Sequence, residues 1–331
     1  MNISVLGRSM LTGFTALAIL DACGSSQPAI GGSEVMPQRS NVESRVDHSG
    51  SWMLAKAAKH ELLYVSNWTS SKVTIYTYPD GQLVGKLTGF AQPYGECIDN
   101  SGDVFITNFN GSNIFEYRHG NVTAKAVISD YGEHPAGCSV DPITGNLAVN
   151  NSYTVSNEAG SISLYKHDPH HGWEPPTIYS DSSFFYMYFC GFDADGNLFV
   201  DGFTSFGGSF ILAVLPAGTG TFTNLSLNQT IEVPGGIMWD GHYMTVADSG
   251  ISPSPIYRFT VNGSTATVVG TTMLSGSAVV QYWVTGSKLV GPQPKTSSVG
   301  IWNYPAGGAA ARSVTNDLNG PSGLTISPAR K

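Results

Sequence analysis

Apolar positions along this chain fall in short runs that alternate with polar ones and are broken by glycine, proline, asparagine and aspartate. Alternation with period two predicts strands, and the breakers predict the turns between them. One pattern recurs through the length, Ile-x-x-aromatic. It stands at Ile75–Tyr78, Ile114–Tyr117, Ile162–Tyr165, Ile211–Val214, Ile256–Phe259 and Ile301–Tyr304, and only the fourth copy lacks the aromatic. Successive isoleucines lie 39, 48, 49, 45 and 45 residues apart. A second apolar run precedes each copy: Leu63-Tyr64-Val65, Val104-Phe105-Ile106, Leu147-Ala148-Val149, Leu198-Phe199-Val200, Met244-Thr245-Val246 and Leu289-Val290. An earlier strand opens the unit and closes on an acidic turn, as in Cys97-Ile98-Asp99, Cys138-Ser139-Val140-Asp141, Cys190-Gly191-Phe192-Asp193 and Met238-Trp239-Asp240. A more variable fourth strand follows, for example Gln82–Leu87 and Ala124–Ile128.

Four short antiparallel strands in a period of about 45 residues predict an all-β fold, a six-bladed β-propeller. A single four-stranded sheet cannot bury both faces, so the units must stack. The first unit begins at its second strand, near Leu62, and the chain ends on an orphan first strand, Pro321-Ser322-Gly323-Leu324-Thr325-Ile326-Ser327. Pairing the two would close the ring and remove its open edges.

Composition agrees: charged residues make up 12% of the chain, with 39 glycines. Net charge is −8 without a basic cluster, which excludes a nucleic-acid binder. At the N-terminus, Arg8 precedes an apolar run from Met10 to Leu20, the order of an export signal and too short for a permanent span. Leu20-Asp21-Ala22-Cys23 resembles a bacterial lipoprotein box. The resemblance implies a signal peptide over residues 1–22, lipid on Cys23, a flexible tether over residues 23–50 and the propeller over residues 51–331. The chain would then sit in a bacterial cell envelope and touch the membrane only through its lipid. An ordinary signal cut near Ala22, giving a secreted protein, is the alternative.

The repeats resemble those of the NHL and SMP-30/gluconolactonase-like propellers. The likeness rests on Pro-x-Gly before the first strand (Pro93-Tyr94-Gly95, Pro135-Ala136-Gly137, Pro234-Gly235-Gly236, Pro321-Ser322-Gly323). It also rests on the run from Asp193 to Val200 and on Val246-Ala247-Asp248-Ser249-Gly250. It implies architecture more than activity, since such folds host lactonases, lyases, sensors and scaffolds. Enzymes of the SMP-30 type hold a divalent cation with Glu, Asn and Asp beside that Pro-x-Gly. Here the x positions are Tyr94, Ala136, Gly235 and Ser322, poor oxygen ligands for Ca²⁺ or Mg²⁺. Glu96 and His134 lie near but do not complete a site, so no cofactor is expected.

Cys97, Cys138 and Cys190 occupy like places in consecutive first strands. Packed thiols are the simpler expectation; a Cys97–Cys138 bond is the other, open in an oxidising compartment. The run His167-Asp168-Pro169-His170-His171 reads as an exposed turn rather than a metal grip. Loops predicted to share one face carry Trp68, Phe109, Tyr153, Phe203 and Phe206, together with Tyr94, Tyr131, Phe184, Phe185, Tyr186 and Tyr188. Either these rings pack between blades, or beside Asn67, Asn108 and Asn151 they offer a glycan or peptide both stacking and amide hydrogen bonds. The functional expectation is a monomeric extracytoplasmic binding or scaffold protein. Its ligand is a glycan, a peptide or an envelope protein, held near the central channel. A metal-dependent lactonase or lyase is the alternative.

Overall fold

The computed structural model describes residues 50–156 and 158–329. The export signal, Cys23 and all but the last residue of the tether fall outside them. The described chain is all-β, with short 3₁₀ turns at Ala57–Lys59, Phe109–Gly111 and Pro294–Thr296. Among the described residues no helix is long and apolar enough to cross a membrane.

The repeat units become antiparallel sheets in the order read from the sequence. The second unit runs Pro93–Ile98, Val104–Asn108, Asn113–Tyr117, Ala126–Ser129, each strand paired with the next. The third runs Glu133–Val140, Leu147–Thr154, Ser161–Tyr165, Thr177–Tyr179. Tyr186–Phe192, Leu198–Phe203, Phe210–Leu215 and Thr223–Leu227 form the fourth, and Pro234–Trp239, Met244–Asp248, Ser254–Asn262 and Thr265–Leu274 the fifth. In the sixth, Trp283–Thr285 leads Lys288–Gln293, Ser298–Asn303 and Gly307–Val314. That first strand was not legible, because it is three residues long and ends without the acidic turn of its counterparts.

The first unit draws on both ends of the described chain. Pro321–Ser327 pairs antiparallel with Glu61–Asn67, placing Leu324 opposite Val65 and Ile326 opposite Leu63. Lys72–Tyr78 and Leu83–Leu87 follow, and Trp52–Met53 adds an unanticipated outer strand against Gly85 and Lys86. The expected pairing of the orphan strand with the first unit is therefore present.

Each sheet buries its faces against its neighbours. Leu62, Tyr64 and Ile75 of the first unit pack on Val104, Ile106 and Phe115 of the second. Phe105 and Ile114 then meet Leu147 and Val149, and Ala148 and Ile162 meet Val200 and Ala213. Phe199 and Leu212 meet Val246 and Phe259, while Ala247 and Ile256 meet Leu289 and Trp302. Val290, Val299 and Ile301 of the sixth unit pack on Leu63, Val65 and Leu324 of the first. The recurrent isoleucines are thus the residues that join one sheet to the next.

The Pro-x-Gly motif has a steric cause. A Cβ on Gly95 would lie 2.4 Å from the Ala136 carbonyl oxygen and 2.8 Å from the Gly137 Cα. A Cβ on Gly323 would lie 2.1 Å from the Tyr94 oxygen and 2.8 Å from the Gly95 Cα. First strands of adjacent units approach so closely here that only hydrogen fits.

Candidate functional site

The rings expected on loops lie mostly on strand ends: Tyr94, His134, Tyr186 and Tyr188 near the starts of first strands, Tyr153 and Phe203 near the ends of second strands, and Trp68, Phe109, Phe185 and Phe206 in the adjoining turns. Trp68 contacts Tyr94 and Phe109 edge-on, with centroids 5.3 and 5.1 Å apart. Phe109 stacks on His134 at 4.8 Å, and His134 lies 4.6 Å from Tyr153. Tyr153 meets Tyr186 at 5.6 Å. Tyr186 in turn touches Phe185 at 4.6 Å, Tyr188 at 6.1 Å and Phe206 at 6.4 Å, and Tyr188 meets Phe203 at 5.7 Å. These spacings are those of favourable aromatic pairs. The result is one continuous band across the first four units.

Every ring of the band is partly exposed, and Phe206 stands out at 84%. Burial among neighbours pushes the Tyr94 phenol up and that of Tyr188 to about 12, with the nearby Tyr186 adding to the latter. Both are neutral hydrogen-bonding groups at any physiological pH. The two sequence-level alternatives merge here: the rings pack on one another and also present an outer surface.

Several expected members sit elsewhere. Tyr131 is 94% exposed and has no ring contact with the band. Phe184 is buried in the core between the third and fourth units. Glu96 is wholly buried beneath the face, accepting a 2.7 Å hydrogen bond from the Ser66 hydroxyl on Oε1, with no partner on Oε2. Burial raises its carboxyl well above the usual carboxylate range. The asparagines, expected to offer amides to a ligand, are buried and spent internally. Asn67 donates to the Val65 carbonyl and Thr74 hydroxyl and accepts from the Asn319 N–H. Asn108 accepts from the Ala91 N–H, and Asn151 donates to Ser161 and Ser163. Asn67 and Asn108 end their second strands, where the chain turns and a short amide satisfies backbone groups that lose their ladder partners, whereas Asn151 lies inside Leu147–Thr154 and bonds serine hydroxyls.

The expectation of unpaired packed thiols is corrected for two of the cysteines. Cys97 and Cys138 form a disulfide with their Cα atoms 5.7 Å apart, joining the first strands of the second and third units. The close approach at Gly95 and Gly137 brings those strands within reach. Cys190 is a buried free thiol, its pKa pushed up by burial.

Asp201 was missed. It is wholly buried, takes the Phe189 N–H at 3.0 Å on Oδ1 and leaves Oδ2 without a partner. Burial again raises the acid well above the usual carboxylate range. The available signal was an acid inside the apolar strand Leu198–Phe203. The central space holds a cavity of about 120 Å³, with Glu96, Ser139, Phe192, Trp239, Gln281 and Trp283 in its wall.

Among the described residues one acidic group has metal-like spacing, Asp99, Asp103 and Glu116. The Lys125 ammonium fills it, 2.9 Å from Asp103 Oδ2 and 2.5 Å from Glu116 Oε1. Glu96 and His134 belong to no such group. The histidine run forms an exposed turn in which the Asp168 carboxylate caps the N–H groups of His170 and His171.

No family model matches this chain, and no curated protein does. Solved structures do match in fold. A chain of a nidogen/laminin complex aligns over 82% of this chain and 99% of its own at 14% identity, TM-score 0.65. A protein of unknown function from Desulfotomaculum acetoxidans aligns over 82% of this chain and 100% of its own at 12% identity, TM-score 0.56. A putative 6-phosphogluconolactonase from Bacteroides fragilis aligns over 82% and 99% at 12% identity, TM-score 0.54. At these identities the likeness carries architecture alone, and the architecture is a β-propeller.

Proposed function

We propose that the chain is a closed six-bladed propeller of the bacterial cell envelope, lipid-anchored at Cys23 and monomeric, that binds a glycan or peptide on its aromatic band. The closed ring is supported by the pairing of Pro321–Ser327 with Glu61–Asn67 and by the shared core of the sixth and first units. Export is supported by the Cys97–Cys138 disulfide, which persists in oxidising compartments.

The observation that carries the binding reading is the continuity of the band from Trp68 to Phe203. A monomer that needed these rings only for stability would bury them further, whereas here each keeps part of its surface in water. Rigid rings fix little conformational entropy on binding, and the neutral phenols of Tyr94 and Tyr188 supply hydrogen bonds.

A glycan array and an immobilised peptide array, probed with the lipid-free chain, test this reading. A ligand should appear whose affinity falls about tenfold or more in both Trp68→Ala and Tyr153→Ala, a loss of about 1.4 kcal/mol each. Equal binding by wild type and both variants, or no ligand on either array, refutes it. Metal analysis of the same protein addresses the lactonase or lyase alternative. That reading requires stoichiometric Ca²⁺ or Mg²⁺ and a thermal shift on adding either ion.

A further inference from the structure

The outer strands of the fourth and fifth units each reach the next unit by a parallel pairing, Ser226↔Thr265 and Leu274↔Gly308, and in the fourth unit this leaves a gap. Thr223–Leu227 pairs with Phe210–Leu215 only through Leu212↔Leu225, Ala213↔Asn224 and Val214↔Thr223. Beyond Leu225 the chain swings away and pairs in parallel with the fifth unit, Ser226↔Thr265 and Leu227↔Ala266. The Ser226 N–H donates to the Ser264 carbonyl at 2.8 Å, and the Asn228 N–H to the Ala266 carbonyl at 3.2 Å. Backbone groups alternate sides along a strand, so those of Leu227 point the other way, towards Phe210. Phe210, two residues before Leu212, turns its own outer N–H and C=O to the same gap, and no ladder rung joins the two.

The gap is a groove of about 410 Å³, within the range of ligand pockets. Phe210, Ile211 and Leu227 give it apolar walls, and each is half-buried. Glu232 is its single charged lining residue, in a chain of net charge −8. The groove adjoins the aromatic band, because the turn between Phe203 and Phe210 carries Phe206, which touches Tyr186.

We infer that this groove takes an extended peptide from a partner protein as an inserted strand. Phe210 on one side and Leu227 on the other would bond the peptide backbone. Its apolar side chains would rest on Ile211 and Leu227, and a lysine or arginine would pair with Glu232. The facing N–H and C=O groups of Phe210 and Leu227 suit one rung of a polypeptide backbone on each side of the gap. The lone carboxylate selects the sign of the ligand's charge. This site goes beyond the aromatic-band reading and stands without it.

The probe is a fluorescein-labelled hexapeptide, Val-Thr-Lys-Val-Thr-Val, read by anisotropy, with two controls: an alternately N-methylated copy and a copy with Glu for Lys. Wild type should bind the first about tenfold or more better than either control. Glu232→Lys should invert the charge preference, and Leu227→Trp should abolish binding by filling the groove. Trp68→Ala should leave it unchanged, which separates this site from the band. The amides of Phe210 and Leu227 should exchange fast in the free protein and become protected with peptide. Equal binding of the N-methylated copy, no binding of the hexapeptide, or slow exchange of both amides in the free protein would overturn the proposal.

Discussion

Leu324 is wholly buried in the core that the sixth unit shares with the first, and Ile326 is 5% exposed in the same cluster. Truncating a fully enclosed leucine to alanine removes its transfer energy and leaves a cavity, at a cost of about 2–5 kcal/mol. For a domain of this size each kcal/mol lowers the melting temperature by about 2–4 °C. A mid-range cost of about 3 kcal/mol therefore predicts that Leu324→Ala melts about 6–12 °C below wild type. Val127→Ala, at a 45% exposed position on an outer strand, is the control and should change stability by no more than about 0.5 kcal/mol. Stopping the chain after Gly320 is harsher. It removes Leu324 and Ile326, each worth about 1.5–3 kcal/mol of burial. The Leu324 N–H to Gln281 bond and the Ser327 to His119 bond go too, and Glu61–Asn67 becomes an open edge. Those losses approach the whole stability of a typical domain, about 5–15 kcal/mol. The truncated chain should lose its cooperative transition by calorimetry. A wild-type melting curve for it, or a shift under about 2 °C for Leu324→Ala, would refute the closed ring.

Two further outcomes follow from the chemistry of the second and third units. Cys97 and Cys138 are 41 residues apart, so the cross-link limits the unfolded chain and contributes about 4 kcal/mol in the loop-entropy account. Cys97→Ser with Cys138→Ser should melt well below wild type, whereas wild type and variant melting together without reductant would contradict the bond. Glu133 is raised to about 7 by burial first and then by the neighbouring Asp130 and Glu158. Its native form binds the proton more tightly than the unfolded chain does. The stability this contributes is present below about pH 4.5 and is lost as pH rises through about 7. Melting temperatures between pH 5 and 8 should therefore fall less steeply in Glu133→Gln than in wild type; parallel slopes would count against the assignment.

Strand content was legible because burial against two neighbouring sheets demands recurring isoleucines and aromatics, and the 45-residue period survives every local change of turn. The same logic read the orphan strand at 321–327, whose pattern has no use except beside Leu62–Val65. Three features escaped for specific reasons. The asparagines looked like ligand amides because a polar residue at a strand end gives no sign of whether water or backbone satisfies it; here Ala91, Asn319 and the strand serines do. The disulfide depended on how closely two first strands run, a distance that Gly95 and Gly137 record only once the Ala136 carbonyl is seen 2.4 Å from a would-be Cβ. The groove beside Phe210 escaped because Thr223–Leu227 reads as an ordinary outer strand, and only its register shows that it changes partners halfway. The aromatic band lies between these cases. Sequence placed its rings on loops of one face, but continuity needed both loop sets to meet, as Phe109, His134 and Tyr153 do across the second and third units. Phe109 follows the second strand of its unit, Tyr153 lies near the end of the next unit's second strand, and His134 is the second residue of Glu133–Val140 between them. The band is therefore a consequence of stacking the repeats, and its rings can be fixed in place without being buried.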